Sequence, residues 1–472
     1  MTTARKPNHK KLTSRLVLQT LGVIVAATYL LAAGSTLLGQ LVPLKYTLVV
    51  FIIGAVGIFL LVRALFARHT SRIKRAVLAA MAVIVTVCCL GLISFNWSLL
   101  SFLHGIQPTD YATETYSIIA EKDRNITLKT AKTAGLIETD PYLSDVKTGL
   151  ATKTAATPRD QQNTTELMTA LEDDKTDTAV LSSGYMDLIQ DTYPKYDSNI
   201  EILATFTIRV ENGAVVAPNV DTSKPFVVYI SGIDTYGPIA SVSRSDVNML
   251  AVINPITHEI LLVNTPRDYY VQLHGTTGIR DKLTHAGIYG IDMSRQTLED
   301  LYDTKVDYYV RVNFTSLVKL VDTLGGITVY SDYSFKSFNQ GENQLDGKQA
   351  LEFARERYSF SEGDRQRGKN QQKVIEAIVA KISEPSSVLR YRGILSDLSS
   401  SLQTNVNESS ISSLVNAQLD NMKRWDVESI SVDGTGATAG TYSMGSLPLY
   451  VMEPDQGSVD EAKVKINSYL ER

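Results

Sequence analysis

Hydrophobic positions follow three different patterns along the chain, and the pattern changes near residues 104 and 222. The first stretch holds three unbroken apolar runs, at 16–38, 47–62 and 76–95. Two of them reach the roughly 20 residues a helix needs to cross a bilayer, and the middle one is near the lower limit. From 105 to 222 the chain is polar, and its apolar patches are short. These predict strands at 116–121, 126–130, 178–182 and 200–210, and a helix at 161–171 that opens near the cap-like Asp160, with Pro158 in the loop before it. The stretch 217–224, APNVDTSK, reads as a linker.

The third region, 223–472, returns to continuous apolar runs at 226–232, 247–253 and 259–263, the pattern of strands buried on both faces. Further strands are predicted at 306–312, 327–330 and 425–432. Helices are predicted at 284–302, 314–324, 371–383, 388–398 and 411–418, with Gly325-Gly326 stopping the second. Strands alternating with helices predict a layered α/β domain. The organisation is therefore a three-helix membrane anchor (1–104), a small α/β accessory domain (105–222) and a larger α/β domain (223–472).

Charge sharpens this division. Residues 1–104 contain 11 Lys and Arg and no Asp or Glu, so the remainder has 46 − 11 = 35 basic against 50 acidic residues. Basic residues gather before the first run (Arg5, Lys6, Lys10, Lys11, Arg15) and between the second and third (Arg63, Arg68, Arg72, Lys74, Arg75). The first connection has only Lys45. The positive-inside rule then predicts an internal N-terminus and residues 105–472 outside the membrane. No charge stands in the middle of a run, which argues against transport. The acidic body argues against nucleic acid as a partner. Cys88 and Cys89 are adjacent within an apolar run and form neither a disulfide framework nor a metal site.

Against that acidic background the segment 351–373, LEFARERYSFSEGDRQRGKNQQK, is a basic exception. Arg355 and Arg357, two apart, share a face only if the chain is extended there. From 366 to 382 the pattern turns helical, placing Arg367 and Gln371 in the first turns, where the helix dipole favours anions. Arginine forks above a helix start suit phosphate or pyrophosphate; the plainer alternative is a solvated charge run with internal Arg–Glu pairs. Asp234 and Asp246 flank one loop between two predicted strands. Together with phosphate oxygens and waters they are the hard ligands Mg²⁺ takes, and turn chemistry is the alternative for each. Arg244 and Arg267 stand close by in sequence. Carboxylates plus arginines at strand ends are the equipment of phosphoryl transfer. No nucleotide-binding signature is present, and His285 reads as a structural residue at a helix start.

The words GIDTYGPIASVSRSDVNML, TPRDYYV, DKLTHAGIYG, NFTSLVKLVDTLGGI and the 351–373 segment, with its flanks, resemble the LytR-CpsA-Psr family, most closely its capsule-linked type, over about residues 224–382. The resemblance implies an α-β-α domain with a central mixed sheet. It also implies transfer of a glycopolymer, here capsular polysaccharide, from a polyprenyl pyrophosphate carrier to peptidoglycan at the outer face of the cytoplasmic membrane. Asp234 and Asp246 match Mg²⁺-binding positions. Arg244, Arg267, Arg355, Arg357, Arg367 and Gln371 match positions that hold pyrophosphate and support transfer, and Asp364 matches an acidic position that orients the arginines. Val228, Ile230, Phe314, Leu317, Ile375 and Ile378 are candidates to line a lipid-tail tunnel. One departure is Asn370, where many members carry Arg. Capsule-assembly proteins are further implied partners. A membrane-anchored regulator and a non-catalytic polyprenyl-phosphate-binding scaffold are the competing readings.

Overall fold

The computed structural model describes residues 9–39, 44–67, 71–106, 111–193, 196–211, 220–233, 243–384, 402–421 and 423–472. Asp234 and the helix predicted at 388–398 lie outside them. The chain forms two compact units; the first holds the N-terminal helices and the helix Glu408–Asn421, the second every strand among the described residues.

In the first unit α1 (His9–Gly39), α2 (Leu44–Phe66) and α3 (Arg72–Ile106) follow the three apolar runs. All three contain segments long and apolar enough to cross a membrane: Leu16–Leu38, Leu44–Phe66 and Ile73–Ser98. Polar side chains join them. Asn96 of α3 is buried, and its Nδ2 donates to Ser35 Oγ and Thr36 Oγ1 of α1, each at 2.9 Å. Gly54 of α2 leaves room for Tyr29 of α1, whose oxygen would lie 2.6 Å from an added Cβ.

The second unit contains two large sheets. The smaller comes from β1 (Tyr111–Glu121), β2 (Thr133–Ile137), β3 (Thr157–Gln161), β4 (Thr178–Ser182) and β5 (Ile200–Glu211), in the order β3-β2-β4-β1-β5. Helix α4 (Leu143–Ala151) covers one face through Val146 and Leu150, and α5 (Thr164–Glu172) and α6 (Ser183–Thr192) cover the other. The short helix α7 (Tyr196–Asn199) leads into β5. Two expectations move here. Residues 126–130 form a turn, not a strand, because Thr127 and Thr130 bond each other's backbone (Thr127 N to Thr130 Oγ1, 2.9 Å) and divert the chain from a ladder. The predicted helix at 161–171 starts later, at Thr164, because Asn163 caps it by accepting from Glu166 N at 3.0 Å. Asp160 instead lies in the exposed edge strand β3, where Pro158 is tolerated, and pairs with Lys147.

The larger sheet has the order β14-β11-β6-β7-β8-β15, built from β6 (Phe226–Ile233), β7 (Val247–Asn254), β8 (Glu259–Thr265), β11 (Tyr308–Asn313), β14 (Leu402–Thr404) and β15 (Asp426–Ser431). It is mixed: β11 runs parallel to β6 and β15 to β8, while β7 is antiparallel to both of its neighbours. On one face Val227, Tyr229, Leu250, Val252, Leu261 and Val263 pack against α9 (Ile291–Tyr302) and the C-terminal helix Gln456–Leu470. Each fully buried side chain of this kind contributes about 1.5–3 kcal/mol. The other face carries α10 (Phe314–Leu324), α11 (Gly347–Arg355) and α12 (Asp364–Ile382), with the hairpin β12 (Ile327–Ser331) and β13 (Gly341–Leu345) beside them. Asn313 and Ser316 form a capping box at the start of α10, and Gly325, at φ 79°, ends it.

The helix predicted at 284–302 is broken. Residues 270–271 (β9) and 281–282 (β10) pair, a short α8 (Leu283–Ala286) follows, and Gly290 at φ 105° turns the chain before α9 begins. Gly287 is needed there: an added Cβ would lie 2.3 Å from Ser243 O. The pattern-based reading left out a closing hairpin, β16 (Gly434–Thr441) and β17 (Gly445–Pro454). This hairpin joins the two sheets. Met444, with Ile288, is buried in the same cluster as Leu167, Leu171, Tyr185 and Leu188 of the smaller layer. Below it Asp281, fully buried, accepts from Ser443 N at 2.8 Å, and its other oxygen lies 2.7 Å from His285 Nδ1. His285 is thus structural, as expected.

Candidate anion-binding active site

The carboxyl ends of β6, β8 and β15 point the same way, and the start of β7 lies among them. Asp246 stands just before β7, Arg267 just after β8, and Val432 and Asp433 just after β15. The N-terminus of α12 comes over these ends. Close approach is possible because Gly368 has no side chain: an added Cβ would lie 2.4 Å from Asn264 Nδ2 on β8. Gln372 fixes the helix, donating to Ile430 O of β15 at 2.7 Å and accepting from Ser431 Oγ at 3.0 Å. Between these elements lies a cavity of about 170 Å³, lined by Asp246, Arg267, Asp364, Arg365, Arg367 and Gln371, among others.

Asp246 is held from several sides. Its backbone N–H donates to Gly232 O at 2.8 Å. Its Oδ1 accepts from Arg267 Nη1 at 2.9 Å and from Thr284 Oγ1 at 3.1 Å. The preceding Ser245 is fixed by Tyr229 and Ser231 hydroxyls, at 2.9 and 2.7 Å, so the backbone carrying Arg244 is fixed too. Burial works to raise the Asp246 pKa, but Arg267, Arg244 and Arg367 outweigh it and hold the carboxyl below its ordinary value. Arg267 mirrors this. Burial opposes its charge, yet Asp246, Asp268 and Asp364 raise its pKa above the ordinary guanidinium value. Its Nε is buried and has no hydrogen-bond partner among the described residues; Asp268 and Asp364 oxygens lie 3.7 and 4.0 Å away.

Arg367 and Asp364, at the first turn of α12, form an ion pair of the opposite character. Burial raises the Asp364 pKa in spite of Arg367 and Arg267. Burial, with Arg267 alongside, lowers that of Arg367 in spite of Asp364. Both partners are displaced toward neutrality, so the pair is a net electrostatic cost of the kind buried ion pairs incur. Arg367 is left as a nearly enclosed cation, its side chain 11% exposed, beside a second guanidinium. An added anion would relieve that stress.

The remaining expected residues divide. Gln371 lines the same cavity. Arg357 lines a neighbouring cleft, where its Nη2 donates to Tyr358 Oη at 2.6 Å. The segment carrying Arg355 and Arg357 is extended only in part: α11 runs through Arg355, and Glu356 is the first extended residue (φ −67°, ψ 126°). Glu356 is buried and accepts from Ser359 N at 2.8 Å and from Lys336, which ends the helix there. Arg355 consequently stacks on the ring of Phe314, 4.2 Å from its centroid. Asn370 turns away from the cavity into the core, donating to Phe353 O at 3.2 Å.

The sequence reading gave no site role to Asp268, Lys282, Thr284, Arg365 and Asp433. Asp268 pairs with Lys282 at 3.0 Å, and Arg365 pairs with Asp433 at 2.7 Å, tying α12 to the turn after β15. Asp268 follows Arg267 directly, which was an available signal; the other partners are distant in sequence and carried none. Among the described residues no group of three or more His, Cys, Asp or Glu side chains is placed to hold a metal. Asp246 nevertheless offers an ionised carboxylate, the donor type a hard cation takes.

Three apolar N-terminal helices ahead of an α/β unit with arginines and carboxylates at its strand ends define a class: a protein carrying a candidate anion-binding site and helices suited to membrane anchoring. The chain belongs to the LytR_cpsA_psr family, whose model matches residues 195–465, more than half of its length. It is 36% identical over 204 residues to polyisoprenyl-teichoic acid–peptidoglycan teichoic acid transferase TagU of Enterococcus faecalis, covering 42% of this chain and 67% of that one. It is 34% identical over 245 residues to Biofilm regulatory protein A of Streptococcus mutans, covering 47% and 60%. Among solved structures, TagV of B. subtilis is 26% identical, with coverage of 53% and 98% and a TM-score of 0.45.

Proposed function

We propose that this protein transfers a glycopolymer, in particular a capsular polysaccharide, from a polyprenyl pyrophosphate carrier to peptidoglycan. The observation that carries this reading is the pair of enclosed guanidinium groups, Arg267 and Arg367, on one cavity wall, with Arg267 Nε lacking an acceptor among the described residues. A pyrophosphate supplies the acceptor that Arg267 Nε lacks and a second anionic partner for Arg367, and charge-assisted bonds to its oxygens are the strong kind. The name of the related E. faecalis transferase supports the same chemistry. In the reaction an acceptor hydroxyl oxygen bonds to the phosphorus bearing the polymer, the bond from that phosphorus to the bridging oxygen breaks, and the hydroxyl proton passes to the departing phosphate. The products are a phosphodiester-linked polymer and polyprenyl monophosphate.

Arg267 and Arg367 hold the non-bridging oxygens and stabilise charge as it develops. Gln371 completes the shell around the head group with Arg244 beside Asp246, and Asp364 aims Arg367; Arg355, from its place on Phe314, and Arg357, from the neighbouring cleft, support transfer from outside that shell. Half-buried Ile230, Leu317, Ile375 and Ile378 offer apolar surface for the lipid. Mg²⁺ is the proposed cofactor: Asp246 and Asp234 would hold it, and it would neutralise phosphate charge. Residues 105–472 act outside the cytoplasmic membrane with the three helices spanning it, and capsule-assembly proteins are proposed neighbours. The test is the full chain in proteoliposomes, given polyprenyl-pyrophosphate-linked polymer and peptidoglycan with and without Mg²⁺. Polymer attached to peptidoglycan, lost on chelation and in Asp246→Asn, is expected; a teichoic acid donor preferred over a capsular one would correct the polymer. A purely regulatory or carrier role, which the S. mutans relative's name would favour, predicts binding without release of polyprenyl monophosphate.

A further inference from the structure

The cavity has a neighbour. A second cleft, about 560 Å³ and more open, adjoins it, and Arg267, Glu362, Asp364 and Arg365 line both. Its own wall carries Lys282, Arg357, Tyr450 and Met452. Tyr450 and Met452 are alternate residues of β17 and therefore share a face of it. Met452 is buried, whereas Tyr450 remains 53% exposed although it sits inside a folded wall. The Tyr450 ring is held from behind by Gly436 of β16, whose added Cβ would lie 3.0 Å from Tyr450 Cε2 and 3.2 Å from its oxygen. The lack of a side chain at Gly436 lets the ring lie close over the neighbouring strand. The result is an exposed aromatic surface beside fork and ammonium donors, Arg357 and Lys282.

We propose that this second cleft is the subsite for the acceptor glycan strand, with the Tyr450 ring as the surface on which a sugar ring of the acceptor stacks. The inference rests on the transfer reaction proposed above. Attacking and leaving oxygens must lie roughly in line across the phosphorus. With pyrophosphate held by Arg267 and Arg367 in the first cavity, the acceptor approaches past the wall the two spaces share. The cleft suits a glycan: an aromatic face for the C–H side of a sugar, and N–H donors for its hydroxyl and acetamido oxygens. Its larger volume accommodates sugar residues on either side of the reacting hydroxyl.

The test compares full-chain wild type with Tyr450→Ala, Tyr450→Phe and Gly436→Ala in the transfer assay, varying donor and acceptor separately. Loss of one stacked ring corresponds to about a tenfold effect. Tyr450→Ala is expected to raise KM for the acceptor by that factor and to leave KM for the lipid-linked donor unchanged. Tyr450→Phe, which keeps the platform, is expected to behave as wild type. Gly436→Ala, which displaces the ring without removing it, is expected to raise acceptor KM by a smaller factor. A rise in donor KM instead would assign the cleft to the donor's own sugars, and unchanged acceptor KM in Tyr450→Ala would overturn the proposal outright. Absence of transfer by wild type would refute the proposed reaction itself. Binding of a soluble N-acetylated glycan-strand oligosaccharide, measured for wild type and Tyr450→Ala, then still decides the subsite: equal affinities would reject it.

Discussion

Replacement of Arg367 by lysine isolates geometry from charge. Arg367 sits in the first turn of α12, 11% exposed, paired with Asp364 and close to Arg267. Lysine keeps the positive charge but loses the planar fork, and its compact ammonium is more strongly hydrated and so costlier to enclose. Two effects follow. The stability effect is small, because the native pair is already a net cost: about 1 kcal/mol, or roughly 2 °C in melting temperature for a unit of this size. The effect on transfer is large, because a donor aimed at developing phosphate charge is removed: on the order of 10²-fold in rate. The assay is initial rate of polyprenyl monophosphate release by the purified variant, beside a thermal melt. A folded variant with wild-type rate would refute the placement of pyrophosphate against Arg367.

Further outcomes follow from other parts of the molecule. The raised pKa of Asp364 means its ionised form costs stability, and that cost is relieved as pH falls through its folded value toward the ordinary value of about 3.9. Melts between pH 7 and 4 should therefore show wild type gaining on Asp364→Asn; parallel curves would contradict the burial argument. Asp246 has the opposite sign: its depressed pKa adds stability that is complete above about pH 3.9 and is lost only at lower pH, so Asp246→Asn should lose its disadvantage only below that value. Gly368→Ala gains roughly 1 kcal/mol of helix propensity but drives a methyl against Asn264, so transfer should fall even if the melt does not; full activity would show that the close approach of α12 to β8 is dispensable. Asn96→Ala removes two bonds between α3 and α1 and should destabilise the three-helix unit by about 1 kcal/mol in detergent; an unchanged unfolding curve there would deny them any structural role.

Much of this was legible in the sequence because the signals are local. The runs 226–232, 247–253 and 259–263 became β6, β7 and β8, and Gly325 ended α10, since burial on both faces and a left-handed cap each leave a mark on a few adjacent residues. Arg267, Asp364, Arg367 and Gln371 converge because β8 and β15 end at one edge and α12 begins above it. What escaped notice was long-range. Nothing near Lys282 announces Asp268, nor does anything near Arg365 announce Asp433; those pairs exist only once the sheet is assembled. The continuous helix predicted at 284–302 failed because its apolar positions also serve a tight turn, where Gly287 passes close to Ser243 O and Gly290 takes φ 105°. The hairpin 434–454 is rich in Gly, Thr and Ser, which mutes the alternation that marks a strand.

The hairpin tip that carries Met444 into the smaller layer has a bearing on how members of this family are cut and compared. Gly445, at φ 65°, sits against Asn163, and Thr164 N donates to Ser443 O at 3.1 Å, so the seam is polar as well as apolar. A gene fragment opening at 223, where the larger sheet begins, would strip the cover from Met444 and Ile288 and present a sticky apolar face. The limits of a homology match, 195–465 here, trace inherited likeness; a shearable joint in the protein is another matter. Relatives without the smaller layer must close that end of the hairpin by other means. Grafting this chain's larger α/β layer onto a foreign anchor therefore requires that the smaller layer travel with it.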